Sequence, residues 1–276
     1  MSSKIDQTTP ATPVPITELR EVLCDGIDKC KHPEIVIINN PVTRLARIPD
    51  HHAVLFSNKT RDFAISEIIA TLESHPSIHK LTIHSEYFHD ANVQTFADYL
   101  ATNTTIRHLD LSKTRLMDED IRIFANALRN NTALRYLNVS NCFFNLTGLQ
   151  HLADSLRLNA TLKRLEMNSN YFESGCGPII RDILLNSQSL EHISLNGCLL
   201  RDAPMEAIAD GLALNTVLKS LALDFNYIGS AGADHLARAL EINTTVKLEC
   251  RQNDFWGMHR LTKLLMRDMK PQCVIS

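Results

Sequence analysis

Residues 134–144 read LRYLNVSNCFF and residues 218–228 read LKSLALDFNYI, and the match between these two stretches decides the fold. In both, an aliphatic residue stands first, fourth and sixth: Leu134, Leu137 and Val139 in one, Leu218, Leu221 and Leu223 in the other. Apolar residues two apart in a short run are the mark of a strand that buries one face. Cys142 or Asn226 fills the ninth place, and the eleventh is apolar again, as Phe144 or Ile228.

Outward from these stretches, the phrase recurs from Ile78, Ile106, Leu134, Leu162, Leu190 and Leu218, a constant step of 28 residues. Asn170 and Cys198 take the ninth place in other copies, and Phe88, Leu116, Phe172 and Leu200 the eleventh. The apolar spacing then changes from two to about 3.6 residues, as happens where a strand gives way to a helix. Phe96, Ala97 and Leu100 follow it in one copy, Phe124, Ala125 and Leu128 in another, and Leu236, Ala237 and Leu240 in a third. Most copies close on Asn-Thr or a near variant, a turn signal. One such unit cannot bury its apolar face alone, whereas stacked units share a continuous core.

Six in-phase copies of L-x-x-L-x-L, four of them with Asn or Cys at the ninth position, resemble the ribonuclease-inhibitor-like class of leucine-rich repeats, found also in Nod-like receptors, tropomodulin and the Ran GTPase-activating protein. The resemblance covers about residues 32–270. It implies an α/β solenoid, a horseshoe with a parallel sheet on the concave face and helices outside. It also implies a non-catalytic role in binding other proteins.

The units divide the chain into a flexible tail over 1–16, an N-terminal cap with degenerate repeats over 17–77, six repeats over 78–245, a C-terminal cap repeat over 246–270 and a tail over 271–276. Within 50–77, Leu55, Ile65, Ile68 and Leu72 keep core positions while Ala53 replaces a leucine. Before it, Ile35, Ile37, Asn40 and Val42 read as a shortened strand unit that follows a helix over about 17–28. At the far end Val246, Leu248 and Cys250 repeat the strand with one residue missing. Phe255 and Trp256 are placed to shield the last open edge, ahead of a helix bearing Leu261, Leu264 and Leu265.

Composition narrows the function classes. With a formal net charge of -3 the chain lacks the basic surplus a dedicated nucleic-acid binder needs. The first residues, MSSKIDQTTPATPVP, contain no apolar core of a signal peptide, and no run of about 18 apolar residues predicts a membrane span. The seven cysteines form no C-x2-C pair, so neither a zinc site nor a disulfide framework is expected, and reduced thiols fit a cytoplasmic setting. Sequons at Asn103, Asn130, Asn159 and Asn243 recur with the repeat turn and read as architecture.

Side chains that flank the core leucines of each strand are expected on the concave face. The third column reads Lys80, His108, Tyr136, Arg164, His192, Ser220, the fifth Thr82, Asp110, Asn138, Glu166, Ser194, Ala222, and the seventh His84, Ser112, Ser140, Asn168, Asn196, Asp224. A tenth column just past the strand is rich in aromatics: Tyr87, Arg115, Phe143, Tyr171, Leu199, Tyr227. Tyrosine and arginine supply large contact area at modest entropic cost. The candidate partner-binding residues are therefore Lys80, His84, Tyr87, His108, Arg115, Tyr136, Phe143, Arg164, Tyr171, His192 and Tyr227. The tenth column could equally serve only to pack the loop edge. His75, His79, His84 and His89 fall at a turn, two strand positions and a loop, so no metal site is expected. With no catalytic motif in the chain, no catalytic residue and no cofactor are assigned.

The chain ends Cys273-Val274-Ile275-Ser276, which fits a C-a-a-X prenylation signal whose terminal Ser favours a farnesyl group. Pro271 stops the preceding helix and leaves the tail free to extend into a prenyltransferase. One lipid gives only reversible attachment, and Arg260, Lys263, Arg267 and Lys270 could lean on anionic head groups. The expectation is a cytoplasmic scaffold held peripherally at a membrane, or, from a bacterial source, an effector secreted into a host cell and lipidated there. The alternative is a GTPase-activating protein resembling the Ran activator, although this chain is shorter and lacks that family's acidic tail.

Overall fold

The computed structural model describes strand segments 34–39 and 52–56, residues 65–85, 88 and 91–254, and residues 261, 264 and 265. Nine strands form one parallel sheet among them: β1 (Glu34–Asn39), β2 (His52–Phe56), β3 (Lys80–Ser85), β4 (His108–Asp110), β5 (Tyr136–Asn138), β6 (Arg164–Glu166), β7 (His192–Ser194), β8 (Ser220–Ala222) and β9 (Lys247–Glu249). Helix α1 (Ile65–Ser74) precedes β3. The others alternate with the strands: α2 (Ala91–Thr102), α3 (Asp118–Asn130), α4 (Leu146–Leu156), α5 (Cys176–Asn186), α6 (Met205–Leu214) and α7 (Ser230–Ile242). Each helix packs on the next in chain order, and the sheet stays open.

Register follows the period. Leu109 pairs with Leu137, Leu137 with Leu165, and Leu165 with Ile193, each step moving 28 residues. The last step, Leu221 to Leu248, is one residue shorter, the deletion already visible in the sequence. At the other end the sheet order is β2-β1-β3. Chain order alone would set β2, from the weak 50–77 unit, against β3. Instead β1 lies between them and pairs with all six residues of β3, from Glu34 opposite Lys80 to Asn39 opposite Ser85. The run Ile35-Val36-Ile37-Ile38 favours the exchange, since unbroken β-branched residues have high strand propensity and β1 pairs along both of its edges.

The first, fourth and sixth residues of each phrase are buried. Leu109, Leu134, Leu165 and Leu221 among them are within 1% of full burial. Large rings fill the space between sheet and helices. Phe88, Phe96 and Phe124 stand 5.8–6.2 Å apart by ring centroid, and Phe144 meets Phe172 at 5.5 Å. Such contacts add about 0.5–1.5 kcal/mol each beyond the area they bury. Leu261 is buried at the far end, where Leu264 and Leu265 also pack on the core.

Two polar ladders run through this apolar stack. At the ninth position Asn170 donates to the carbonyls of Val139 and Met167 and accepts from the amide of Cys142. Asn226 does the same with Leu195, Leu223 and Cys198. The second ladder sits at the helix ends. Asn159 Nδ2 donates to the carbonyls of Leu128 (2.7 Å) and Asn131 (3.2 Å) in the preceding repeat, and Oδ1 accepts from the amides of Thr161 and Leu162. Asn131 and Asn243 repeat this geometry. Each asparagine thus covers carbonyls that a helix terminus leaves open and tethers one repeat to the next. Asn159 and Asn243 are buried, so those two sequons are structural, while Asn130 is exposed. Ser187 occupies the ladder place in one repeat, and its hydroxyl is buried with no hydrogen-bond partner.

Repeats are also tied at the helix starts. Asp202 Oδ1 accepts from the amides of Gly229 (2.7 Å) and Gly232 (2.9 Å) in the next repeat. A Cβ on Gly232 would lie 2.6 Å from that same oxygen, so the contact requires glycine.

Candidate protein-docking surface

The tenth column lies along the loop edge of the sheet. Backbone bonds hold it there: the amide of Phe143 donates to the carbonyl of Leu116, and that of Tyr227 to that of Leu200. The eleventh residue turns into the core, and Phe144, Phe172 and Ile228 are all within 1% of full burial. Its neighbour at the tenth place therefore faces out. Phe143 is 62% exposed, Tyr171 63% and Tyr227 48%, with Leu199 at 36%. Arg115 is exposed in the same row, and the Arg201 guanidinium lies over the Tyr227 ring, 5.5 Å from its centroid. Tyr87 and Cys273 lie outside the described residues.

Phe225 joins this edge, and the tenth-column pattern misses it because it stands at the eighth place. Its ring is 64% exposed and its φ is 57°. The same left-handed turn is made in other repeats by Lys113, Asn141, Ser169, Gly197 and Gln252. A left-handed residue costs roughly 1–2 kcal/mol unless it is glycine or a short polar side chain. A bulky apolar residue among polar and small ones at one register position was the signal available in the sequence. Neither burial nor backbone geometry gives Phe225 a structural reason to be there.

The concave columns behave differently. The seventh is occupied internally: Ser140 Oγ accepts from the amide of Asn168, Asn168 Oδ1 from that of Asn196, Asn196 Oδ1 from that of Asp224, and Asp224 Oδ1 from that of Arg251. His84, the candidate from this column, is half-buried. Its Nε2 is 3.1 Å from Ser112 Oγ and 3.5 Å from Asp110 Oδ1. A Ser, a His and an Asp do converge here, yet both partners meet the same ring nitrogen, so the imidazole cannot relay a proton between them. Burial raises the Asp110 pKa, but hydrogen bonds from His84 and from Ser112 outweigh it and leave the carboxyl below its usual range.

In the third column Lys80, His108 and Arg164 are exposed, and Tyr136 and His192 are half-buried. The rings of His108 and Tyr136 lie 5.7 Å apart. Burial, helped by nearby Glu166 and Asp110, pushes the Tyr136 hydroxyl well above its usual value. His192 Nδ1 is 2.8 Å from Ser220 Oγ, and burial followed by the Arg164 charge lowers its pKa. Where the fifth column shrinks to Ser194 and Ala222, the sheet forms an open hollow of about 500 Å³, ringed by Arg164, Lys219 and Lys247 together with Glu166 and Glu249.

His75 and His79 bond to the carbonyls of Thr71 and Thr105, away from His84. Among the described residues no three His, Cys, Asp or Glu side chains gather as metal ligands, and no helix is long and apolar enough to cross a membrane. Burial pushes the Cys142 thiol up to about 11 and those of Cys176, Cys198 and Cys250 to about 12, which makes them poor nucleophiles.

An open parallel sheet, one helix per 28-residue unit and asparagine ladders between units define an α/β solenoid fold of the leucine-rich-repeat type. The family model described as Leucine Rich repeat matches residues 102–122 and 214–237. Among solved structures, the tropomodulin C-terminal domain of Caenorhabditis elegans is similar at 17% identity and TM-score 0.47, over 56% of this chain and 94% of that one. The leiomodin-1 actin-binding site 2 is similar at 20% identity and TM-score 0.35, over 58% of this chain and 79% of that one. No curated protein sequence matches.

Proposed function

We propose that this protein is a non-catalytic scaffold that docks a protein partner along the loop edge of its sheet, and that a prenyl group on Cys273 holds it reversibly at a membrane surface from the cytoplasmic side. The row of outward side chains Phe143, Tyr171, Leu199, Phe225 and Tyr227 supports the docking reading most directly. Large apolar side chains are costly to leave in water, and rings on adjacent repeats make a continuous strip of the size a partner can cover. Phe225 adds backbone strain to that exposure, which is characteristic of positions kept for contact. The anchor rests on the sequence Cys273-Val274-Ile275-Ser276.

Two variants test the two parts. Tyr171→Ala/Tyr227→Ala should weaken partner capture at least tenfold while the melting temperature stays within about 2 °C, because rings this exposed contribute little to folding. A large fall in melting temperature would place the rings in the structural core instead. Cys273→Ser should move the protein from the membrane to the soluble fraction of eukaryotic cells. Unchanged membrane association would show that the tail is not the anchor.

A further inference from the structure

The opposite edge of the sheet, where the strands begin, carries a different chemistry. Its second column reads His79, Arg107, Arg135, Lys163, Glu191 and Lys219, and the third adds Lys80, Arg164 and Lys247. Seven of these residues are lysine or arginine, against Glu191 in the same columns and Asp110, Glu166 and Glu249 in the neighbouring fifth, in a protein whose total charge is -3. Arg107, Arg164, Lys219 and Lys247 are exposed. Arg135 is half-exposed and fixed in place, its Nη1 donating to the carbonyls of Thr132 (3.1 Å) and Leu134 (3.2 Å). The strip is therefore a row of cations on six of the seven strands from β3 to β9, β7 offering only Glu191 and His192, and the cations outnumber the carboxylates beside them, which calls for an anionic counterpart.

Three features select the kind of anion. Carboxylates interrupt the strip: Glu191 bridges Lys163 (3.0 Å) and Lys219 (2.5 Å), Glu166 lies 3.9 Å from Arg164, and Glu249 lies 2.6 Å from Lys247. A nucleic-acid backbone, charged at every residue, would meet repulsion there, whereas a polypeptide can place neutral residues opposite them. The single aromatic in the two columns, Tyr136, is half-buried beside His108 and offers no platform for stacking bases. The hollow over β6–β9 recedes from any flat surface, so a bilayer cannot reach its floor, while one side chain can.

We propose that the strand-start edge from Lys80 to Lys247 docks an extended acidic polypeptide segment, with one of its neutral polar side chains seated in the hollow that Arg164, Lys219 and Lys247 share with Glu166 and Glu249. Seven strands at roughly 4.8 Å spacing give a track of about 29 Å, the reach of about nine extended residues. This site lies on the edge opposite Tyr171 and Tyr227 and does not depend on the aromatic row binding anything.

The test is fluorescence anisotropy on the full chain with a labelled ten-residue peptide of alternating Glu and Ser. Controls are the matching Lys-Ser peptide, a ten-nucleotide single-stranded oligothymidylate and vesicles containing phosphatidylserine. At 50 mM salt the Glu-Ser peptide should bind at least tenfold tighter than any control, and weaken several-fold by 200 mM. Arg107→Ser/Arg135→Ser should weaken it about tenfold with an unchanged melting curve. Glu191→Gln should tighten it about fivefold by freeing two lysines, a gain that no unfolded variant can imitate. The proposal is overturned if the Glu-Ser peptide binds no better than Lys-Ser, if the oligonucleotide or the vesicles bind more tightly, or if either substitution leaves peptide affinity unchanged. None of these outcomes bears on the loop-edge variants.

Discussion

Replacing Ser187 with asparagine should stabilise the protein, an uncommon direction for a buried substitution. The helix-end ladder passes through Asn131, Asn159, Asn215 and Asn243 and breaks at Ser187, whose buried hydroxyl has no partner. Ser189 covers part of the gap, its Oγ donating to the carbonyls of Asn159 (3.3 Å) and Leu162 (2.9 Å). An asparagine at 187 would reach the carbonyl of Leu156 as Asn215 reaches that of Leu184. It would also accept from the amides of Ser189 and Leu190 as Asn131 does from Ala133 and Leu134. Three new hydrogen bonds at about 1 kcal/mol each, less the ordering of one side chain and some crowding against Ser189, leave about 2 kcal/mol. For a chain of this size that is about 4–8 °C in melting temperature. Asn159→Ala, which removes four such bonds, should cost about 4 kcal/mol in the same circular-dichroism melt. A Ser187→Asn variant that melts at or below the parent, while Asn159→Ala behaves as stated, would refute the idea that the break in the ladder is a defect.

Phe225→Asn should raise stability by about 1 kcal/mol by relieving the left-handed strain, measured by urea unfolding, with Asn141 as the precedent at that register position. A loss of more than about 1 kcal/mol would mean that the ring packs on something. Asp110 ionises below its usual range in the folded chain, so its contribution is present above the unfolded carboxylate value near pH 4 and lost as pH falls through the lower folded value. The gap in melting temperature between the parent and Asp110→Asn should therefore be full at neutral pH and close in acid. A gap that widens below pH 4 contradicts the assignment. Cys142, Cys176, Cys198 and Cys250 should resist iodoacetamide in the native protein and react in urea, as mass spectrometry would read directly. Rapid native labelling of any of the four would show that the repeat around it opens.

The stack was legible because strand and helix leave different apolar periods, and a fixed step of 28 residues sets both in phase. The missing residue before Leu248 could be read for the same reason. Period, however, fixes the phase of a unit and not its neighbour, so the insertion of β1 between β2 and β3 depends on which strand best covers six residues of β3. The outward columns looked uniformly available from sequence. In three-residue strands the following amides still need acceptors, and Ser140, Asn168, Asn196 and Asp224 are consumed in supplying them. Phe225 escaped the tenth-column pattern because its signal is a departure from its own register position. The cationic edge was hidden for another reason: the second column adds to the third only once the strands lie side by side.

Site-specific photo-crosslinking tests the docking edge most directly. A benzophenone amino acid at Tyr171 or Phe143 should give a discrete adduct with a partner in cells, while the same probe at exposed Arg238 on α7 should give none. Adducts of equal yield from both faces, or an adduct from α7 alone, would contradict the assignment of the loop edge as the surface this protein uses.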